Sequence, residues 1–168
     1  LGSMPLAFTY PLMKRLTYWP QLFLGITFNY GLILGWTAIY GQINITIIVF
    51  YLGAIFWTLG YDTIYGYQDI KDDEIIGLKS TSIKFKGNEK KFLFICYSLL
   101  IILLIIGGYY MNFDYKYYFL TIIPFYHLFF FQMKLFKPKD DLNCLIVFKS
   151  NNIFGLIIFL NILIIKNI

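Results

Sequence analysis

Formal charge is what this chain has least of. Only 14% of its 168 residues are Asp, Glu, Lys or Arg, against roughly 25% in an ordinary soluble domain. From Leu16 to Tyr61 there is none at all in 46 residues. With 59% hydrophobic residues, that scarcity excludes a solvated globular domain and places the chain among membrane proteins. Cysteine is rare too. Cys96 and Cys144 have no metal-ligand spacing and form no disulfide framework, so they read as small apolar fillers. The one histidine, His127, lies alone in an apolar run and reads as a packed residue rather than a ligand. Net charge is +5, but the lysines sit in short loops between apolar runs. A nucleic-acid binder needs a continuous solvated basic face, so nucleic acid is excluded as a partner. The opening Leu1-Gly2-Ser3-Met4-Pro5 has no basic leader segment, so no signal peptide is expected. It reads as a helix entered part-way or as a short foreign leader before Met4.

What is present is a series of apolar runs of membrane-spanning length. A spanning helix needs about 20 apolar residues. Leu6 to Met13 is shorter and reads as the tail of a helix, ended by Lys14 and Arg15. The charge-free stretch then holds two spans, about Pro20–Ile39 and Ile45–Tyr67, with a turn at Tyr40-Gly41-Gln42-Ile43-Asn44. A third runs from Phe92 to Phe113 and a fourth from Tyr117 to Met133, where Pro124 predicts a kink. After a polar loop from Lys134 to Lys149 comes the last span, Ser150–Ile165. The expected fold is an all-α, multi-pass transmembrane helical bundle of about five full spans plus the end of another. It forms a single membrane-embedded domain over residues 1–168. Lys14, Arg15, the lysines of residues 71–91 and those of residues 134–149 fall in alternate loops, which hold 12 of the 14 basic residues. The positive-inside rule makes these loops cytoplasmic and sends the C-terminus to the opposite side.

Five of the nine carboxylates fall in one stretch, Asp62, Asp69, Asp72, Asp73 and Glu74, at the mouth of an apolar run. Acids there are costly unless something uses them. If the helix of the second span continues to residue 73, Asp62, Asp69 and Asp73 lie within roughly 40° of one another, with Tyr65 flanking that face. Asp69 and Asp73 are then a like-charged i, i+4 pair, which destabilises a bare helix. A divalent cation reverses the sign, and Mg²⁺ suits carboxylates that share it with substrate phosphates. Asp62 would lie about 16 Å along the helix from Asp73, too far to share that ion unless the helix breaks. Asp72, Glu74 and most loop lysines read equally well as a solvated loop. Lys14 can serve as a topology determinant, whereas the Arg15 guanidinium suits bidentate contact with a diphosphate. Lys79 can reach a phosphate as well. Asn151 and Asn152 either line the site or cap the last helix.

The stretches YPLMKRLTYWPQLFLG (residues 10–25), YDTIYGYQDIKDDEIIGLKST (61–81) and FKSNNIFGLIIFL (148–160) resemble the UbiA family of intramembrane aromatic prenyltransferases. The resemblance implies a nine-helix membrane fold with a central cavity open to lipid. It also implies two aspartate-rich motifs that hold Mg²⁺ and a polyprenyl diphosphate. Asp62, Asp69 and Asp73 match the second motif, in the metal-binding and catalytic role. Arg15 matches the diphosphate-binding arginine. Lys79 lies in the cap loop, about residues 68–91, with Lys14 and Tyr65 on the diphosphate side and Asn151 and Asn152 toward the acceptor. The acceptor implied is an aromatic acid, 4-hydroxybenzoate first, in ubiquinone biosynthesis, and the implied address is a bacterial inner membrane. The first motif, Asn-Asp-x-x-x-Asp, does not occur, so the chain is expected to correspond to the C-terminal portion of such an enzyme, without its first helices. Two other classes remain. A CDP-alcohol phosphotransferase also spaces its aspartates but wants an arginine among them, and none follows Arg15. A non-catalytic protein of the same fold would also lack one motif.

Overall fold

The computed structural model describes residues 4–166, and all of their regular structure is helical. Leu1-Gly2-Ser3 and Asn167-Ile168, which bear on the expected leader and on the outer C-terminus, lie outside the described residues. The chain opens with α1 (Met4–Leu16), whose last turn carries Lys14 and Arg15. It continues into α2 (Pro20–Phe28) and α3 (Tyr30–Tyr40). Pro20 starts α2 because its missing N–H would have no intrahelical partner at that position in any case. The run expected as one uniform span is interrupted at Asn29. There the side-chain amide donates to the Gly25 carbonyl (2.8 Å) and crosses to Thr58 Oγ1 (2.8 Å) and the Ala54 carbonyl (3.2 Å).

The central helix is α4 (Ile45–Tyr65), capped by the Asn44 side chain, which accepts from the Ile47 N–H at 3.3 Å. It packs along α7 (Glu89–Tyr110) over much of its length. Their close approach rests on small residues, as in membrane helix pairs generally. A Cβ on Gly60 would stand 2.6 Å from Tyr97 Cε1, so the buried tyrosine ring lies directly on the α4 backbone. The core between them includes Leu59, Ile64, Leu93, Leu100 and Leu104, all buried. Outward-facing residues are apolar as well: Phe28, Ile39, Phe94, Phe119 and Phe159 are all exposed, as a lipid-facing surface requires.

Four helical runs are long and apolar enough to cross a membrane: Pro20–Tyr40, Ile45–Tyr65, Glu89–Tyr110 and Asp141–Ile165. The fourth expected span, Tyr117–Met133, is there in broken form. It consists of α8 (Tyr115–Leu120), α9 (Ile122–Tyr126), a π turn (His127–Gln132) and α10 (Met133–Leu135). Pro124 is buried within α9, and the departure from α geometry follows immediately after it.

Two expectations need correction. α4 does not stay helical to residue 73. It ends at Tyr65, and a separate α5 (Ile70–Ile76) begins after the turn at residues 66–69. Gly66 is forced by packing, since a side chain there would run into Ser82 Oγ. The segment Lys134–Lys149 is also not a loop throughout. Asp140 caps a helix, α11 (Asp141–Lys149), through a bond from the Asn143 N–H at 3.0 Å. The chain then passes through Ser150 into α12 (Asn151–Lys166). Cys144 and Val147 are fully buried and give α11 its inward face.

The cap loop is itself folded. α5 ends at Gly77 in the left-handed region (φ 78°), with Gly77 N–H bonded to the Glu74 carbonyl (3.3 Å) and Leu78 N–H to the Asp73 carbonyl (2.8 Å). This paired closure satisfies two of the helix's last carbonyls. α6 (Thr81–Lys84) follows, capped by Ser80.

Candidate functional site

Three charged segments meet at one end of the bundle. The Lys79 N–H donates to the Lys14 carbonyl at 2.7 Å. The Lys79 ammonium lies 3.3 Å from the Leu16 carbonyl and over the Tyr18 ring. Lys14 Nζ reaches Asp73 Oδ2 at 3.4 Å. The third segment joins through Tyr67, whose ring packs edge-on against Phe136. The end of α1, the cap loop and the 134–140 turn thus share one face.

Asp62 is on the last turn of α4, half-buried and within electrostatic reach of both Lys14 and Tyr10. Asp73 is buried. Its N–H bonds to the Asp69 carbonyl at 2.8 Å, a helical i, i+4 link that puts the two carboxylates on neighbouring positions of one face. Asp69 stands at the start of α5, yet its side chain makes no capping bond. Lys14 therefore lies between Asp73 on α5 and Asp62 on α4. The Arg15 guanidinium is exposed, with no acidic partner among the described residues. Asp72 is exposed, and Glu74 pairs with Lys86 at 2.7 Å on the outer surface.

No group of three or more His, Cys, Asp or Glu side chains converges on a metal-sized site among the described residues. The donors on offer are all hard oxygens, and the Asp69–Asp73 pair supplies two. That number suits Mg²⁺, which keeps waters and takes substrate phosphates for its remaining positions.

From this mouth an aromatic ladder descends along one face of α4. Tyr65 packs on Phe148 (ring centres 4.9 Å), Tyr61 on Phe148 (5.8 Å), Trp57 on Tyr61 (5.5 Å) and Trp57 on Phe154 (5.0 Å). The 57, 61, 65 spacing keeps the three on one side of α4, facing α11 and α12. Trp57 and Phe154 then form the wall of an apolar cavity of about 520 Å³ between α2–α3, α4, α7 and α12. Among its lining residues are Trp36, Phe50, Leu104 and Ile158, with Asn29 as its amide. Asn151 and Asn152 are not among them. Asn151 accepts from Trp57 Nε1 at 2.9 Å and donates to the Phe148 carbonyl at 2.9 Å, so it fixes the ladder. Asn152 is exposed.

The sequence reading missed Trp57, Tyr61 and Asn29 as parts of this arrangement. The available signal was the 57, 61, 65 spacing, which puts both rings on the Tyr65 side of the helix, and an amide in a run without charge. It also missed a polar cluster deeper in the bundle. Tyr97 Oη donates to Gln132 Oε1 (2.7 Å), and Gln132 Nε2 reaches Ser150 Oγ (3.0 Å) and His127 Nε2 (3.3 Å). His127 is thus a packed residue in a closed network, stacked on Phe131.

An all-helical bundle of membrane-length helices, with acids and cations gathered at one mouth and an apolar cavity among the helices, defines the class as a multi-pass helical membrane protein. Residues 1–162 match the UbiA prenyltransferase family, and the chain belongs to that family. It is 43% identical over 164 residues to the mitochondrial 4-hydroxybenzoate polyprenyltransferase of Bos taurus, covering 96% of this chain and 43% of that protein. It is 39% identical over 166 residues to the protein of the same name in Dictyostelium discoideum, covering 98% and 36%. The match to the human protein of that name is 54% over 93 residues, covering 55% and 25%. The chain thus spans at most about two fifths of the length of these relatives. A UbiA homolog from Aeropyrum pernix K1 shares the fold, with a TM-score of 0.75 at 20% identity over 96% of this chain and 62% of that one.

Proposed function

We infer that this chain forms the cap-loop side of a polyprenyltransferase site. The reaction is transfer of a polyprenyl group from polyprenyl diphosphate to an aromatic acid, 4-hydroxybenzoate in the relatives' names. The product is an intermediate in ubiquinone biosynthesis. One observation carries the reading: a mouth bearing Asp69, Asp73, Lys14, Arg15 and Lys79 is joined by the Tyr65–Tyr61–Trp57 ladder to a dry cavity of about 520 Å³. A diphosphate with a long apolar tail has the same polarity along its length. In this reading the whole chain acts as one membrane-embedded unit with its charged loops on the cytoplasmic or matrix side. The relatives are mitochondrial by name, whereas the address expected from the resemblance is a bacterial inner membrane.

Asp69 and Asp73 would hold Mg²⁺, with Asp62 behind them, and the ion, when bound, supplies charge withdrawal from the leaving diphosphate. The remaining work falls to the chain's own groups. Arg15 offers a planar fork to phosphate oxygens. Lys14 and Lys79 add point charges fixed by their contacts with Asp73 and Leu16. The faces of Tyr65, Tyr61 and Trp57 steady a developing allylic cation through their ring quadrupoles, while the cavity keeps water from the tail. The ring carbon beside the acceptor's phenol hydroxyl then bonds to that allylic carbon as its C–O bond to diphosphate breaks, and the ring carbon gives up its proton to the departing diphosphate or to water.

The test is transfer of labelled 4-hydroxybenzoate in membranes carrying the protein, with and without Mg²⁺. Asp69→Ala and Asp73→Ala are each expected to abolish the Mg²⁺-dependent product, and a wild-type rate in either variant overturns the assignment. The second reading is a non-catalytic protein of this fold. It predicts no product from the unaltered chain.

A further inference from the structure

We propose that Gln21, Thr63, Thr81 and Ser82 form a positioning strut that sets the cap loop in register with α4, and so sets Lys79 and Asp73 relative to Asp62. The inference rests on the prenyltransferase reading for its consequence, but the strut itself is argued from packing alone. Thr63 lies one residue after Asp62, on the last turn of α4. Thr81 and Ser82 lie two and three residues after Lys79. Their side chains meet in the gap between the two segments. Thr63 Oγ1 and Thr81 Oγ1 are 2.6 Å apart, and Ser82 Oγ donates to the Thr63 carbonyl at 2.8 Å. Gln21, from the first turn of α2, closes the group by accepting the Thr81 N–H on Oε1 at 3.0 Å. All four residues are buried, at 3%, 1%, 0% and 0% exposure respectively.

Three features separate this from ordinary packing. The bonds join α2, α4 and α6, three elements far apart in sequence that each adjoin a charged site group. They occur where α4 has ended and the backbone needs outside partners, and the Thr63 carbonyl takes its partner from Ser82. Their closeness dictates the neighbouring residue, because any side chain at Gly66 would collide with Ser82 Oγ. Thr63 Oγ1 also reaches the Leu59 carbonyl at 2.6 Å. It therefore donates back into its own helix and leaves its lone pairs to the Thr81 hydroxyl. Each hydroxyl and the glutamine oxygen has one defined role, so the joint has one low-energy arrangement. The carboxylate pair on α5 and the ammonium of Lys79 hang between this joint and the α4 end. Loosening the strut moves them together relative to Asp62 without touching any group that contacts substrate.

The expected signature is a loss of binding rather than of chemistry. Thr63→Val keeps the shape and removes the hydroxyl. Ser82→Ala leaves the Thr63 carbonyl without its donor. Removing one partner of a buried hydrogen bond corresponds to about a tenfold change in an equilibrium. In each variant the KM for polyprenyl diphosphate and the Mg²⁺ concentration for half-maximal rate are therefore expected to rise about tenfold, with kcat within about twofold. Thr63→Ser, which restores the hydroxyl, is expected to recover both values. A second measurement does not depend on turnover. Trypsin cleavage after Lys79 and Lys84, in membranes carrying the protein without added substrate, is expected to quicken about tenfold in Thr63→Val and Ser82→Ala and to return to the original rate in Thr63→Ser. Unchanged KM and unchanged cleavage in both variants overturn the proposal. So does a fall in kcat at constant KM, or failure of Thr63→Ser to rescue. If the unaltered protein makes no prenylated product, the reaction assignment fails, and the cleavage rates alone decide the strut.

Discussion

Two of the polar clusters in this bundle are built on opposite principles. The inner one, Tyr97–Gln132–Ser150–His127, is closed. Gln132 spends its oxygen on Tyr97 and its amide on Ser150 and His127, and Ser150 Oγ passes its own hydrogen to the Val147 carbonyl at 2.6 Å. The outer one, at the mouth, is open. Asp69 stands at a helix start without capping it, Arg15 has no acidic partner among the described residues, and Lys14 is stretched to 3.4 Å from Asp73. A saturated cluster in a low-dielectric interior specifies packing, whereas the charges left open at the rim are, in the proposed reading, available to a ligand that brings the complementary groups. Burial alone does not distinguish the two. The count of remaining donors and acceptors does.

This contrast can be broken by substitution, beginning with the mouth. Asp73→Asn should lower Mg²⁺-dependent prenyl transfer roughly 10²–10³-fold while the melting temperature in detergent moves little. A comparable loss of stability would put Asp73 in the structural class. Gln132→Leu should behave in the opposite way. It strands a phenol, a hydroxyl and an imidazole and should cost about 1–3 kcal/mol of stability, with activity per folded molecule preserved. Thermal melts combined with specific activity separate the two outcomes. Gly60→Ala falls in the same range, because its methyl must displace the Tyr97 ring from 2.6 Å and overpacking costs about 1–3 kcal/mol. Arg15→Lys keeps the charge and loses the fork, so KM for the diphosphate should rise about tenfold with kcat nearly unchanged. At the low end, Glu74→Gln removes the surface pair with Lys86. It should shift stability by under about 1 kcal/mol and leave the kinetics alone.

The spans were legible because charge is absent over whole membrane widths, and the shared face of Lys14, the cap loop and the 134–140 turn because lysines recur in alternate loops. The break after Tyr65 was not legible. Gly66 weakens the helix locally without ending it, and what keeps a glycine there is the approach of Ser82 from sixteen residues downstream. α11 was hidden for a related reason. Lys137, Lys139, Asp140 and Asp141 advertise a loop, yet Asp140 turns that polarity into a helix cap. The interruption at Asn29 adds a side-chain donor to the Gly25 carbonyl and ties it across to α4, a change that hydropathy does not register. Within the site, the acids and Arg15 stood out by chemistry. Trp57, Tyr61 and the strut residues did not, because aromatic and hydroxyl side chains are common in membrane helices and their roles come only from what faces them.

The π turn from His127 to Gln132 carries one residue more per turn than α geometry, and it is this spacing that lays Gln132 beside His127, five positions earlier. Rewinding the same six residues as regular α-helix would instead leave Gln132 about 140° round the axis from His127. Gln132 would then rotate out toward the acyl chains and Ser150 would lose its donor. The apparent irregularity is thus a phase offset written into the backbone, and the register of everything after Gln132 depends on that turn absorbing its surplus residue.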